Sequence, residues 1–227
     1  MTRISGTITC TFLLVAAAAF TVFASPLGAS TSAPDQKDQT AVFSGGCFWG
    51  VDAVFKHVKG VDKVTSGYAG GSAASAHYEI VSTGLTGHAE SVEVVYDPSK
   101  VSYEDLLKVF FNVAHNPTEL DRQGPDTGKQ YRSVVFYTDA AQQKAAEAYI
   151  AKLTESHAFS DPIVTEVVPL KHFYPAEGYH QNYCELHPKN PYIVWNDLPK
   201  LKALQEKYPD LYTEPAQTDQ VPSAEGE

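Results

Sequence analysis

Cysteine is scarce in this chain, with three in 227 residues, and methionine occurs once, as Met1. Cys10 falls in the N-terminal apolar stretch, which leaves Cys47 and Cys184, enough for one structural staple and no more. Positive charge is also short: 17 Lys and Arg stand against 27 Asp and Glu, for a formal charge of −10 and a pI near 5.2. That balance excludes nucleic acid as the main partner, because phosphate binding needs a cationic patch. No apolar run is long enough for a comfortable membrane span of roughly 20 residues. The longest, Phe12 to Phe23, is already broken by Thr21. What remains is ordinary: 43% hydrophobic and 19% charged residues describe a globular chain that buries a real core.

The two ends differ from the middle. Arg3, the Phe12–Phe23 run and the small-residue site Val22-Phe23-Ala24 read as a cleaved signal peptide over residues 1–24. Export follows, to a periplasmic or secreted location, with no stable membrane insertion after cleavage. An uncleaved anchor is the alternative. Residues 25–39 read as a disordered linker and residues 213–227 as a disordered tail, since both are rich in Ser, Pro and polar residues. One domain, 40–212, lies between them.

Within it, patterning predicts strands near 40–44, 61–68, 88–96, 131–137 and 163–168. Helices are predicted after Gly46, after the Ser102 cap and over 139–157. Gly67-Tyr68-Ala69-Gly70-Gly71 reads as a turn. The order β-α-β-β-α-β predicts an α+β, ferredoxin-like split βαβ sandwich, with a C-terminal helical extension. Two loops, 67–87 and 115–128, exceed normal connection lengths and are expected near the functional site.

Chemistry concentrates at Gly46-Cys47-Phe48-Trp49-Gly50, between a strand and a helix. A cysteine in the first turn of a helix meets unpaired amides and the positive dipole end, so the expectation is a thiolate. Glu90 opens a strand after Gly87, and Asp126, Tyr131 and Arg132 enter another. Taken singly, each is an ordinary surface group, and Tyr78 is one tyrosine of thirteen. Three other readings stay open here. His180, Cys184 and His187, spaced i, i+4 and i+7, would share one helix face and could ligate zinc or copper, though a fourth ligand is missing. Cys47 with a histidine and an acid could make a hydrolase. An aromatic pocket around Trp49 could serve a secreted binding module.

Six ordered motifs raise the weight of one reading. They are Gly46–Gly50, Gly67–Gly71, Thr86-Gly87-His88-Ala89-Glu90, Tyr96-Asp97-Pro98, Gly128–Ser133 and Ala176-Glu177-Gly178-Tyr179-His180-Gln181. Together they resemble the A-type peptide-methionine sulfoxide reductases, over about Ala41 to Lys202. The resemblance implies attack by Cys47 on the sulfoxide sulfur, a proton from Glu90, and hydroxyl support from Tyr78 and Tyr131. It implies that Asp126 supports the substrate, that Phe48 and Trp49 enclose its S-methyl group, and that Cys47 ends as a sulfenic acid. It further implies the S epimer, free or in oxidised proteins, a monomer, and no bound metal, flavin or nicotinamide. Reduction would come from a thioredoxin-like protein or another dithiol.

One departure stands out. Relatives often carry a resolving cysteine after an Asn-Pro-Tyr-like motif, yet Asn190-Pro191-Tyr192 has none after it. Either Cys184 resolves Cys47, or an external thiol attacks the sulfenic acid. The helical setting of Cys184 favours the second.

Overall fold

The computed structural model describes residues 38–215, together with position 2. The expected signal peptide, apart from position 2, nearly all of the expected linker and most of the expected tail lie outside the described residues. No helix among those described is long and apolar enough to cross a membrane.

The chain runs β1 (Gln39–Ser44), α1 (Phe48–Lys56), β2 (Val61–Ala69), α2 (Tyr78–Val81), β3 (Ala89–Tyr96) and α3 (Tyr103–Val109). A π-helical turn, Phe110–Ala114, extends α3. The small ladder β4 (Arg122–Gln123) and β5 (Asp126–Thr127) follows, then β6 (Val134–Tyr137), α4 (Ala140–Glu155), β7 (Glu166–Pro169) and β8 (Phe173–Pro175). Last come α5 (Tyr183–Leu186), a second π turn at Ile193–Asp197 and α6 (Leu198–Lys207). This is an α+β fold. Its main sheet has the order β7-β6-β1-β3-β2-β8, antiparallel except for the β6–β7 pair.

β1 is central because both of its faces are apolar. Phe43 stacks on Phe55 and Phe110 on the helical side, while Val42 packs with Ala69, Ala89, Val134 and Phe136 on the other. Local signals set the helix starts. Ser102 and Asp105 form a reciprocal capping box, and Asp139 accepts from the amides of Ala141 and Gln142 at 2.8 and 2.9 Å. α1 is buried almost all round, because α5 and α6 lie against the face that β2 and β3 leave free.

Three expectations need correction. Gly67, Tyr68 and Ala69 are strand, paired to β3 on one side and β8 on the other; the turn starts at Gly70, with φ of +95°. Gly67 is small for a different reason: a Cβ there would sit 2.4 Å from the Phe173 ring and the Tyr174 carbonyl. Tyr131 closes a 3₁₀ turn, Lys129–Tyr131, ahead of the strand. The domain begins at Gln39, which pairs with Tyr96. At the other end, the Thr213 amide still bonds the His57 carbonyl at 2.9 Å.

Candidate active site

Two glycines turn the chain from β1 into α1. Gly46 has φ of +93°, and a Cβ on it would meet Gln123 at 2.6 Å. A Cβ on Gly45 would meet the His115 ring at 2.8 Å. Only glycine gives this backbone both the torsion and the closeness. Cys47 is then the N-cap of α1, but its side chain makes no cap bond. The first free amide of the helix, Phe48 N–H, goes instead to Glu90 Oε2 at 3.0 Å.

Glu90 reaches that amide because strand residues alternate. It shares the face of Val92, Val94 and Tyr96, which packs under α1, while Ala89 points to the opposite core. Only 3% of Glu90 is exposed. Burial, aided by the nearby Asp126 charge and opposed by the Phe48 amide, raises its pKa to about 8. At neutral pH it carries its proton.

Cys47 overturns the thiolate expectation. Burial pushes its pKa well above the ordinary thiol value; the Glu90, Asp197 and Asp126 carboxyls add to this, and the Trp49 amide opposes it too weakly. The helix start contributes as expected, but desolvation outweighs it. The resting group is a thiol.

Tyr78 opens α2, and Tyr131 lies at the end of the 3₁₀ turn before β6. Burial raises both phenol pKa values, and the surrounding Glu90, Cys47 and Asp126 groups raise both further. Asp126, on β5, accepts a hydrogen bond from the Tyr192 hydroxyl; burial raises its pKa against the pull of Tyr192 and Lys200. Phe48 is buried between Tyr68 and His180. Trp49 stacks on Tyr183 at 3.7 Å, and its indole N–H donates to His180 Nδ1 at 3.2 Å.

Cys184 lies in a different apolar cluster from Cys47. Its S–H donates to the Trp49 carbonyl at 3.2 Å, and it packs with Ala53 and Ile193, whereas Cys47 belongs to the main core. Both thiols are free and buried. His180, Cys184 and His187 do not share a helix face. His180 ends a 3₁₀ turn, Asn182 breaks the chain at φ of +56°, and His187 lies exposed beyond α5. No group of three or more metal-ligand side chains occurs among the described residues.

Three neighbours, Tyr192, Glu177 and Asp197, escaped the sequence reading of individual residues, and His180 was read only as a candidate metal ligand. Tyr192, in the Asn-Pro-Tyr motif, holds Asp126. His180 and Glu177, both within the Ala176–Gln181 motif, border Tyr78. Asp197, 1% exposed beside Cys184 and Lys200, carries no local signal at all.

The fold sets a buried cysteine beside a buried carboxyl, the arrangement of a thiol enzyme. The family described as peptide methionine sulfoxide reductase matches residues 39–211, and this chain belongs to it. It is 56% identical to peptide methionine sulfoxide reductase MsrA 2 of Mesorhizobium japonicum, over 78% of this chain and 90% of that one. It is 52% identical to MsrA 2 of Synechocystis, over 76% and 80% of the two chains. Among solved structures, methionine sulfoxide reductase A of Corynebacterium diphtheriae superposes with a TM-score of 0.60 and 35% identity, covering 70% of this chain and 78% of that chain. Mxr1 from Saccharomyces cerevisiae in reduced form gives 0.64 and 31%, covering 68% and 88%.

Proposed function

We propose that this enzyme reduces methionine S-sulfoxide, free or in oxidised proteins, by the thiol chemistry of Cys47. One observation carries the reading: a buried, protonated Glu90 is bonded to the amide that directly follows Cys47. A sulfoxide oxygen leaves only when protonated, and Glu90 holds that proton at neutral pH. As the Cys47 sulfur bonds to the sulfoxide sulfur, Glu90 protonates the oxygen and the thiol proton replaces the one given up. The sulfur–oxygen bond then breaks as the hydroxyl bonds to the Cys47 sulfur, and the sulfur–sulfur bond opens with its electron pair returning to the methionine sulfur. Methionine leaves and Cys47 is a sulfenic acid, with no net gain or loss of protons. The Tyr78 and Tyr131 hydroxyls hydrogen-bond the oxygen as its charge develops. Asp126 supports the substrate through Tyr192, and Phe48 and Trp49 enclose the S-methyl group.

Two external thiols complete the cycle, releasing water and a disulfide. A dithiol of thioredoxin type is the proposed donor, and no bound cofactor is required for these steps. The separate packing of Cys184 supports direct attack by that donor rather than resolution inside the chain. The leader-like N-terminal sequence supports export to the periplasm or beyond. The enzyme is read as a monomer. In its sheet we read β6, β1, β3 and β2 as a ferredoxin-like split βαβ core, extended by β7 and β8.

Turnover of the separated epimers with a dithiol tests the assignment. Wild type should consume the S epimer and Cys47→Ser should consume neither. Activity confined to the R epimer would end it.

A further inference from the structure

We infer that Glu177 is the positioning residue for Tyr78, tying the start of α2 to β2, the strand paired with the one that carries Glu90. The inference rests on the role just given to Tyr78.

Glu177 divides its two oxygens between two elements. Oε2 accepts the Tyr68 hydroxyl at 2.8 Å, and Oε1 accepts the Tyr78 backbone N–H at 2.9 Å. Tyr68 is wholly buried in β2, directly across the ladder from Glu90. The connected path therefore runs from Glu90 through Tyr68 and Glu177 to Tyr78.

Tyr78 needs such an anchor. It opens a helix of four residues whose only buried member is Val81, after a loop of Gly, Ser and Ala residues that are exposed or half-exposed. The first amides of a helix have no partner within it, so an outside acceptor decides where the segment sits. His77, the N-cap, makes no side-chain cap bond, and the Glu177 carboxylate takes its place. Burial would raise the Glu177 pKa, but the amides of Tyr78 and of its own residue, with the Tyr68 hydroxyl, outweigh that and lower it. The group stays anionic, which strengthens both bonds. The same segment places His180 against the Tyr78 ring, with centroids 4.5 Å apart.

The test is a double-mutant cycle on kcat with S-sulfoxide and dithiothreitol, using Glu177→Ala, Tyr78→Phe, Tyr131→Phe and the two combinations with Glu177→Ala. Loss of the anchor should lower kcat by about 10- to 10²-fold, the scale of an ångström of misplacement. That loss should disappear in the Tyr78→Phe background and persist in full in the Tyr131→Phe background. An equal loss in both backgrounds, or an unchanged kcat in Glu177→Ala, overturns the inference while leaving the reaction intact. An unaltered kcat in Tyr78→Phe removes the donor role of Tyr78 and this inference with it. Should Glu177→Ala fail to fold, Glu177→Gln decides by the same cycle, since its amide keeps one acceptor but opposes the second donor.

Discussion

The Phe48 amide and the Glu90 carboxyl, 42 residues apart in the chain, are joined at 3.0 Å by a hydrogen bond inside the core. That contact fixes the acid of one strand against the first turn of the helix that begins at Cys47. The enclosure that buries Glu90 also buries the Cys47 thiol, and burial raises the pKa of both.

Glu90→Gln should abolish turnover yet raise stability in mild alkali. Its folded pKa of about 8 exceeds the ordinary 4.5. Below 4.5 both folded and unfolded states are protonated, and as pH rises above it the unfolded state loses its proton first. Burial of Glu90 therefore weakens the fold increasingly up to about pH 8. One pKa unit is worth about 1.4 kcal/mol, so the relief in Gln is several kcal/mol in scale. Denaturant midpoints at pH 5 and pH 8 should diverge between the two proteins; equal shifts at both would refute this. Wild-type kcat should fall as pH rises through about 8.

Cys47 should react slowly with iodoacetamide at neutral pH, and its rate should climb above pH 9. The raised thiol pKa predicts this, since the thiolate is the nucleophile. A rate already at its plateau by pH 7 would restore the thiolate picture.

Cys184→Ser should keep kcat with a small dithiol, because a hydroxyl can still donate to the Trp49 carbonyl. Mass spectra taken after one turnover without reductant should show Cys47 sulfenic acid. A Cys47–Cys184 disulfide in wild type would reverse the proposed route.

His115 should make the protein sensitive to acid. Burial lowers its pKa from 6.5 to about 3, against the support of the Phe110 carbonyl. The neutral ring bonds that carbonyl at 2.9 Å and Ser133 at 2.6 Å. Its contribution is whole above 6.5 and drains away as pH falls toward 3, because the unfolded state binds a proton first. His115→Gln should be less stable at pH 7, and the gap in Tm should narrow at pH 4.5. A constant gap would contradict the claim.

Gly50→Ala should destabilise the C-terminal cover of α1. Its Cβ would lie 2.0 Å from Asp197 Oδ1 and 2.8 Å from Lys200 Nζ, at a carboxyl with no room to retreat. Overpacking of this kind costs about 1–3 kcal/mol, measurable in urea. An unshifted midpoint would show that the contact relaxes freely.

Much of this was legible beforehand. The Ser102 cap, the helix that follows Asp139 and the alternation of 88–96 are local, and all three sit where the patterns put them. The Gly67–Gly71 segment misled because glycine reports two different needs. At Gly70 it permits a positive φ; at Gly67 it admits a neighbouring strand that is remote in sequence. Tyr131 misled because its aromatic run continues into β6, while Gly128 and the short turn after it set the ring apart from the strand.

The amino-acid order by itself determined the local settings of the candidate residues: a cysteine at a glycine bend, an acid on an alternating strand, and Tyr78 in a long loop. These are properties of short segments, where neighbours along the chain dictate torsion and facing. Only the folded molecule decided that the thiol keeps its proton, that Cys184 packs with Ala53 and Ile193, and that Glu177 ties Tyr78 to Tyr68. Desolvation and contact depend on which distant segments close over a group, and no stretch of local sequence contains that information.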